Sequence, residues 1–148
     1  MSFKDLACLS EKLSSTTKRT EMVSLAADFL KDLDPKEVEP AVFMLLGRPF
    51  TRTSDEQLDI SGATLYSLVL RITGAGPKNM DKALSNSADF GDATANLFKS
   101  RKAKSQQLFA EKPLDILGVQ ETLKAIAKVK GARSRQKKER LLEGLLNS

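Results

Sequence analysis

Between Lys130 and Arg140 the chain sets six basic side chains, Lys130, Arg133, Arg135, Lys137, Lys138 and Arg140, against one acid, Glu139. Within that run Gly131 can close a helix in a left-handed cap, and Ser134 can open the next one as an N-cap. Amides freed at a helix start carry partial positive charge. Flanked by Arg133, Arg135, Lys137 and Lys138, they make a corner suited to a phosphate. A smaller corner lies in residues 14–20, where Thr16 and Thr17 offer hydroxyls and Lys18 and Arg19 offer charge. Neither stretch interleaves aromatic residues with its cations, so stacking on single-stranded bases is not indicated. Shape and phosphate recognition of a double helix fits better, and two corners on one face would hold its backbone at two places. Neutralising Arg133, Arg135 and Lys138 together is expected to weaken duplex binding without unfolding the domain.

A third basic run, Lys99, Arg101, Lys102 and Lys104, precedes Gln106, Gln107, Leu108 and Phe109. Gln106 followed three positions later by an aromatic side chain could plug into a hydrophobic pocket on a partner. Equally, Leu108 and Phe109 could pack onto the domain's own core while the lysines stay in water.

Other chemistries are excluded by absence. The chain has no histidine and a single cysteine, Cys8. Histidine-dependent nucleophiles, zinc clusters and internal disulfides therefore drop out. No Gly-rich phosphate loop occurs, and Asp28, Asp32 and Asp34 read as solvated helix-end acids rather than a catalytic set. No catalytic residue, metal site or resident cofactor is expected in these residues. No apolar run approaches the roughly 20 residues that span a bilayer, and the start lacks a signal-peptide pattern. A soluble, cytoplasmic monomer in a reducing compartment is expected.

The elements that must position these corners are helices. One domain over residues 1–148 is expected, rich in Ala, Leu, Lys, Glu and Ser and poor in aromatics, with seven Phe, one Tyr and no Trp. Helical spacing of apolar residues predicts about eight helices, near residues 3–13, 20–32, 35–46, 61–74, 78–85, 89–101, 116–130 and 134–146. Phe3, Leu6, Leu9 and Leu13 stripe the first. Met22, Leu25, Ala26, Phe29 and Leu30 stripe the second, and Val38, Val42, Leu45 and Leu46 the third. Pro35 suits a first turn, while the Gly-Ala-Gly-Pro turn at 74–77 breaks the chain. Net charge is +5, but residues 1–98 carry −3 and residues 99–148 carry +8. Positive charge is concentrated as on a polyanion-binding face.

Offset by 116 residues, Leu13 aligns with Val129, Leu25 with Leu141, Phe29 with Leu145 and Leu30 with Leu146. Both copies read as helix, basic loop, helix, so two pseudo-symmetric helical hairpins are expected in an all-α fold. The first copy continues into a third helix, whereas the second stops at Ser148. The natural protein is therefore expected to continue beyond Ser148.

Residues 121–146, with Gly131, Arg133 and Ser134 between two amphipathic helices, resemble the DNA-binding domain of archaeal and eukaryotic replicative ATP-dependent DNA ligases. Residues 9–30, with Thr16, Thr17, Lys18 and Arg19, look like that family's first hairpin. Residues 43–50, ending Gly47, Arg48, Pro49 and Phe50, look like its third helix and exit, and Asp89, Phe90, Gly91 and Asp92 like one of its helix starts. The resemblance implies an all-helical domain that grips the minor groove on both sides of a nick while adenylation and OB-fold domains encircle the duplex. It implies DNA contacts at Thr17, Lys18 and Arg19, and at Gly131, Arg133, Ser134 and Lys138. It implies ATP and magnesium for the parent enzyme, although the nucleotide-accepting Lys-x-Asp-Gly motif does not occur here. In archaeal members the stretch before Pro113 and Leu114 can dock on a sliding clamp. Gln106 and Phe109 match that position, with Ala110 where some relatives carry a second aromatic. The second glycine of the family's Gly-x-Gly-Ser loop is Arg133 here.

The function expected from these residues is sequence-independent binding of nicked duplex DNA, as a non-catalytic module of a nick-sealing ligase in replication and repair. The alternative, from a different class, is an adaptor whose amphipathic helices dock a protein partner such as the clamp.

Overall fold

The computed structural model describes residues 1–102 and 113–147, and among these it contains eight helices and no strand. They are α1 (Phe3–Ser15), α2 (Arg19–Lys31), α3 (Pro35–Leu45), α4 (Gly62–Thr73), α5 (Pro77–Ser85), α6 (Phe90–Lys102), α7 (Ile116–Lys128) and α8 (Ser134–Leu146). None is long and apolar enough to cross a membrane.

Local chemistry explains most boundaries. Ser2 caps α1 through the Asp5 amide, Ser61 caps α4 through Thr64, and Asp115 caps α7 through Gly118. At α3, Asp34 and Glu37 exchange side-chain bonds with each other's amides, forming a capping box ahead of Pro35. Asp34, read from sequence as a solvated acid, is therefore structural. Gly74 ends α4 at φ 67, a left-handed angle that glycine adopts without strain. The polar run at 14–17 ends α1 later than its composition indicated, since Ser14 and Ser15 bond back to carbonyls of the last turn and stay helical.

The apolar faces meet in two groups. Leu6, Leu33, Ala41 and Ile116 form a buried cluster, with Phe3, Phe29, Leu30, Val38, Met44 and Leu45 packed around it. Leu68, Val69, Ile72, Met80 and Ala93 are buried on α4, α5 and α6. α7 packs on α3 and α1, whereas α8 packs on α4, so the second basic hairpin joins the two groups. Leu46, expected on the α3 stripe, is 64% exposed because the helix ends one residue before it.

The two hairpins share an origin. Ser2 and Asp115 form an antiparallel bridge, with the Phe3 amide donating to the Leu114 carbonyl at 2.8 Å and the Ile116 amide to the Met1 carbonyl at 3.3 Å. The Met1 ammonium also pairs with the buried Glu37 carboxylate, which raises the amine above its ordinary pKa; the carboxylates of Asp115 and Asp5 act in the same direction. α1 and α7 thus begin side by side, pack together and are both 13 residues long, about 20 Å at 1.5 Å per residue. Helix starts repeat at 113 residues for α1 and α7 and at 115 for α2 and α8, not at a uniform 116. The second loop is two residues longer than the first, so no single offset aligns both helices of the pair.

Candidate nucleic-acid interface

α2 and α8 begin unlike most of their neighbours. The N-cap of α2 is Lys18 and that of α8 is Arg133, neither with a capping side-chain bond. A cation at the positive end of a helix dipole is locally unfavourable, by roughly 0.3–1 kcal/mol, and becomes favourable once an anion arrives. The backbone amides of Thr20 and Glu21 in α2, and of Arg135 and Gln136 in α8, have no hydrogen-bond partner among the described residues. Each basic loop therefore ends on open donors beside a positive side chain.

In the second loop, Gly131 has φ 86 with open space around its α-carbon, so the backbone angle alone requires glycine there. Arg133 is also left-handed, at φ 62 and ψ 18, in the conformation that glycine would adopt at that position. The Ser134 amide donates to the Gly131 carbonyl at 3.1 Å, closing the turn, and the Lys137 amide donates to the Arg133 carbonyl at 3.3 Å to begin the helix. Ser134 is thus the first helical residue and not the N-cap expected from its type; Arg133 occupies that place. A left-handed non-glycine residue costs on the order of 1 kcal/mol. Arg133→Gly is accordingly expected to raise the melting temperature by about 2–4 °C while weakening duplex binding, both readable on one preparation by thermal denaturation and DNA titration.

The expected site residues fall into three groups. Thr17 and Lys18 on the first loop and Arg19 opening α2 are exposed, as are Gly131 and Arg133 on the second loop and Lys137 in the first turn of α8. Among the described residues, no carboxylate lies within 4.0 Å of the charged groups of Lys18, Arg19, Arg133 or Lys137. Arg135 is exposed but already bonded to Glu139 at 2.8 Å. Glu139 is shared with Arg71 of α4 at 3.6 Å, and Arg71 also holds Glu143 at 3.1 Å.

Lys138, expected from its place in the basic run to contact DNA, forms the third group and is buried. Its side chain is 8% exposed, and its Nζ donates to the Leu58 carbonyl at 2.6 Å with Asp59 Oδ2 3.8 Å away. A buried ammonium already committed to a carbonyl is not free for a phosphate. Lys138 instead fastens the connection between α3 and α4 to α8. Neutralising it along with Arg133 and Arg135 is therefore expected to lower stability as well as duplex binding.

Sequence reasoning left Lys130 out of the site. It is exposed and lines a crevice with Gly131, Ser134 and Arg135 on one side and Ser61 at the start of α4 on the other. Its place in the basic run was visible, but the arrival of α4 opposite it is a tertiary feature. The first corner is electrostatically weaker: Thr16 Oγ1 donates to Glu21 Oε2 at 2.7 Å and accepts from the Lys18 amide at 3.2 Å, which keeps an acid beside Lys18 and Arg19. Gln106 and Phe109 lie outside the described residues. No group of His, Cys, Asp and Glu among the described residues is arranged to hold a metal ion.

The family model described as "DNA ligase N terminus" matches residues 2–148. The chain is similar to DNA ligase 1 of Korarchaeum cryptofilum, 33% identical over 142 residues, which covers 96% of this chain and 25% of that protein. It is also similar to a DNA ligase of Methanothermobacter thermautotrophicus, 29% identical over 145 residues, covering 98% of this chain and 26% of the relative. A DNA ligase of Thermococcus fumicolans is 28% identical over 145 residues, covering 98% of this chain and 25% of the relative. The chain therefore spans about a quarter of the length of these relatives.

Proposed function

Because the chain belongs to the DNA ligase N-terminal family, we propose that it grips duplex DNA across the minor groove around a nick, without sequence preference, for an ATP- and magnesium-dependent ligase. The two hairpin loops touch backbone phosphates. Nucleotide transfer belongs to other parts of the parent enzyme, since no Lys-x-Asp-Gly motif occurs in these residues.

The observation that carries this reading is the pair of helix starts at Lys18 and Arg133, where a basic residue stands in place of a stabilising cap and backbone amides are left open. A phosphate at either start accepts from backbone N–H groups and meets a cation at once, a combination that favours anions at helix N-termini. Equal-length helices from a common origin give both loops similar reach, which suits a rod-shaped polyanion.

Binding of this kind releases counterions. Titrating labelled nicked duplex between about 50 and 200 mM salt is expected to give a log-log slope of about −4 to −5, roughly 0.9 per phosphate neutralised. A flat slope, or no binding at the lower salt, would overturn the reading. The alternative, an adaptor that docks a sliding clamp through Gln106 and Phe109, leaves duplex binding flat with salt.

A further inference from the structure

The connection between α3 and α4 carries three acids to the second basic loop. Asp55, Glu56 and Asp59 line one crevice together with Lys128 and Lys130. Asp59 also borders the neighbouring crevice that holds Lys130, Gly131 and Arg135. Among the described residues, no ion pair joins Asp55, Glu56 or Asp59 to Lys128 or Lys130. The carboxylates share a crevice with the lysines yet leave their ammonium groups unpaired.

This segment is held in place rather than merely passing by. Lys138 fixes the Leu58 carbonyl at 2.6 Å from beneath, and Asp59 next to it adopts a left-handed φ of 47 while its side chain stays 65% exposed. Burying an ammonium is costly, so using one to secure a solvent-facing acidic turn favours a use for the acids in that position. Their field reaches about 8–10 Å at ordinary salt, far enough to act on a phosphate seated at the start of α8.

We propose that Asp55, Glu56 and Asp59 are affinity-determining residues for the duplex: a fixed acidic rail that keeps phosphates off this side of the loop and holds the grip weak enough to release. The rail rests on the duplex-binding reading above. It acts by like-charge repulsion, so its effect fades as salt rises.

The test titrates nicked duplex with the wild-type chain, with Asp55→Asn/Glu56→Gln, and with those two changes plus Asp59→Asn. Asparagine tolerates the left-handed angle at position 59, and the double variant leaves the Asp59–Lys138 contact untouched. The triple variant is expected to bind roughly three- to tenfold more tightly at about 50 mM salt, the double variant somewhat less, and both gains are expected to shrink at about 200 mM. Unchanged or weaker affinity in a double variant with wild-type circular dichroism overturns the rail while leaving duplex binding intact. Absence of binding by the wild-type chain itself overturns the reading beneath it.

Discussion

Replacing Lys130, Arg133 and Lys137 together with glutamine is expected to lower affinity for nicked duplex roughly a hundredfold at about 50 mM salt, and to flatten the salt slope by about 2 to 3. All three side chains are exposed, and none has a carboxylate within 4.0 Å among the described residues, so their replacement breaks no ion pair there. The melting temperature should stay within about 2 °C of wild type, as is usual for surface substitutions away from a structural feature. Lys78 and Lys82 on α5 provide the control for net charge, since both are exposed and distant in sequence from either loop. If neutralising those two weakened binding as much as the triple change, the grip would be diffuse attraction to a basic protein and not a built corner.

Lys138→Ala is expected to do the opposite. Removing the ammonium leaves the Leu58 carbonyl without its 2.6 Å donor and opens a gap between α8 and the connection to α4. An orphaned acceptor and a partial cavity together cost about 2–3 kcal/mol, or roughly 5–10 °C in melting temperature. The salt slope of duplex binding, measured well below that melting point, should stay at the wild-type value because no phosphate contact is lost. Lys138→Met, which restores apolar volume but not the donor, should fall between the two. A wild-type melting temperature with a slope lowered by about one would instead mark Lys138 as a phosphate ligand.

The contrast between these neighbours shows where reading the sequence stops. Arg133 and Lys138 are both basic residues in one amphipathic run, and type and spacing alone assign them the same work. What separates them is the path of residues 50–61, an irregular connection with no periodicity to read, which brings Leu58 and Asp59 to one lysine of α8 and not to the arginine. Features set within a few residues were legible: Ser61 and Gly74 bounding α4, Pro35 opening α3, and Gly131 bending the second loop. The arginine at position 133, where the related loop carries glycine, left the backbone there open from sequence, and the residue adopts a left-handed angle. Capping was less legible, because Ser134 has the right side chain but sits one residue inside the helix, and Asp34 looked like one acid among several. The apolar stripe of α2 was read correctly as a face, yet none of its residues is fully buried: Phe29 and Leu30 only flank the cluster of Leu6, Leu33, Ala41 and Ile116, and the helix packs mainly on α1. How many neighbours cover a face is a property of the assembled bundle.

The bridge between Ser2 and Asp115 sets an order of events during synthesis. The Phe3 amide and the Met1 carbonyl find their partners only when residues 114–116 have emerged. At translation rates of roughly 5–20 residues per second, the nascent α1 waits on the order of ten seconds for its mate. Until then the cluster of Leu6, Leu33 and Ala41 lacks Ile116, its fourth buried member. A chain stalled before residue 116 is therefore expected to be cleaved more readily in α1 than the finished domain, which limited proteolysis of stalled nascent chains would check.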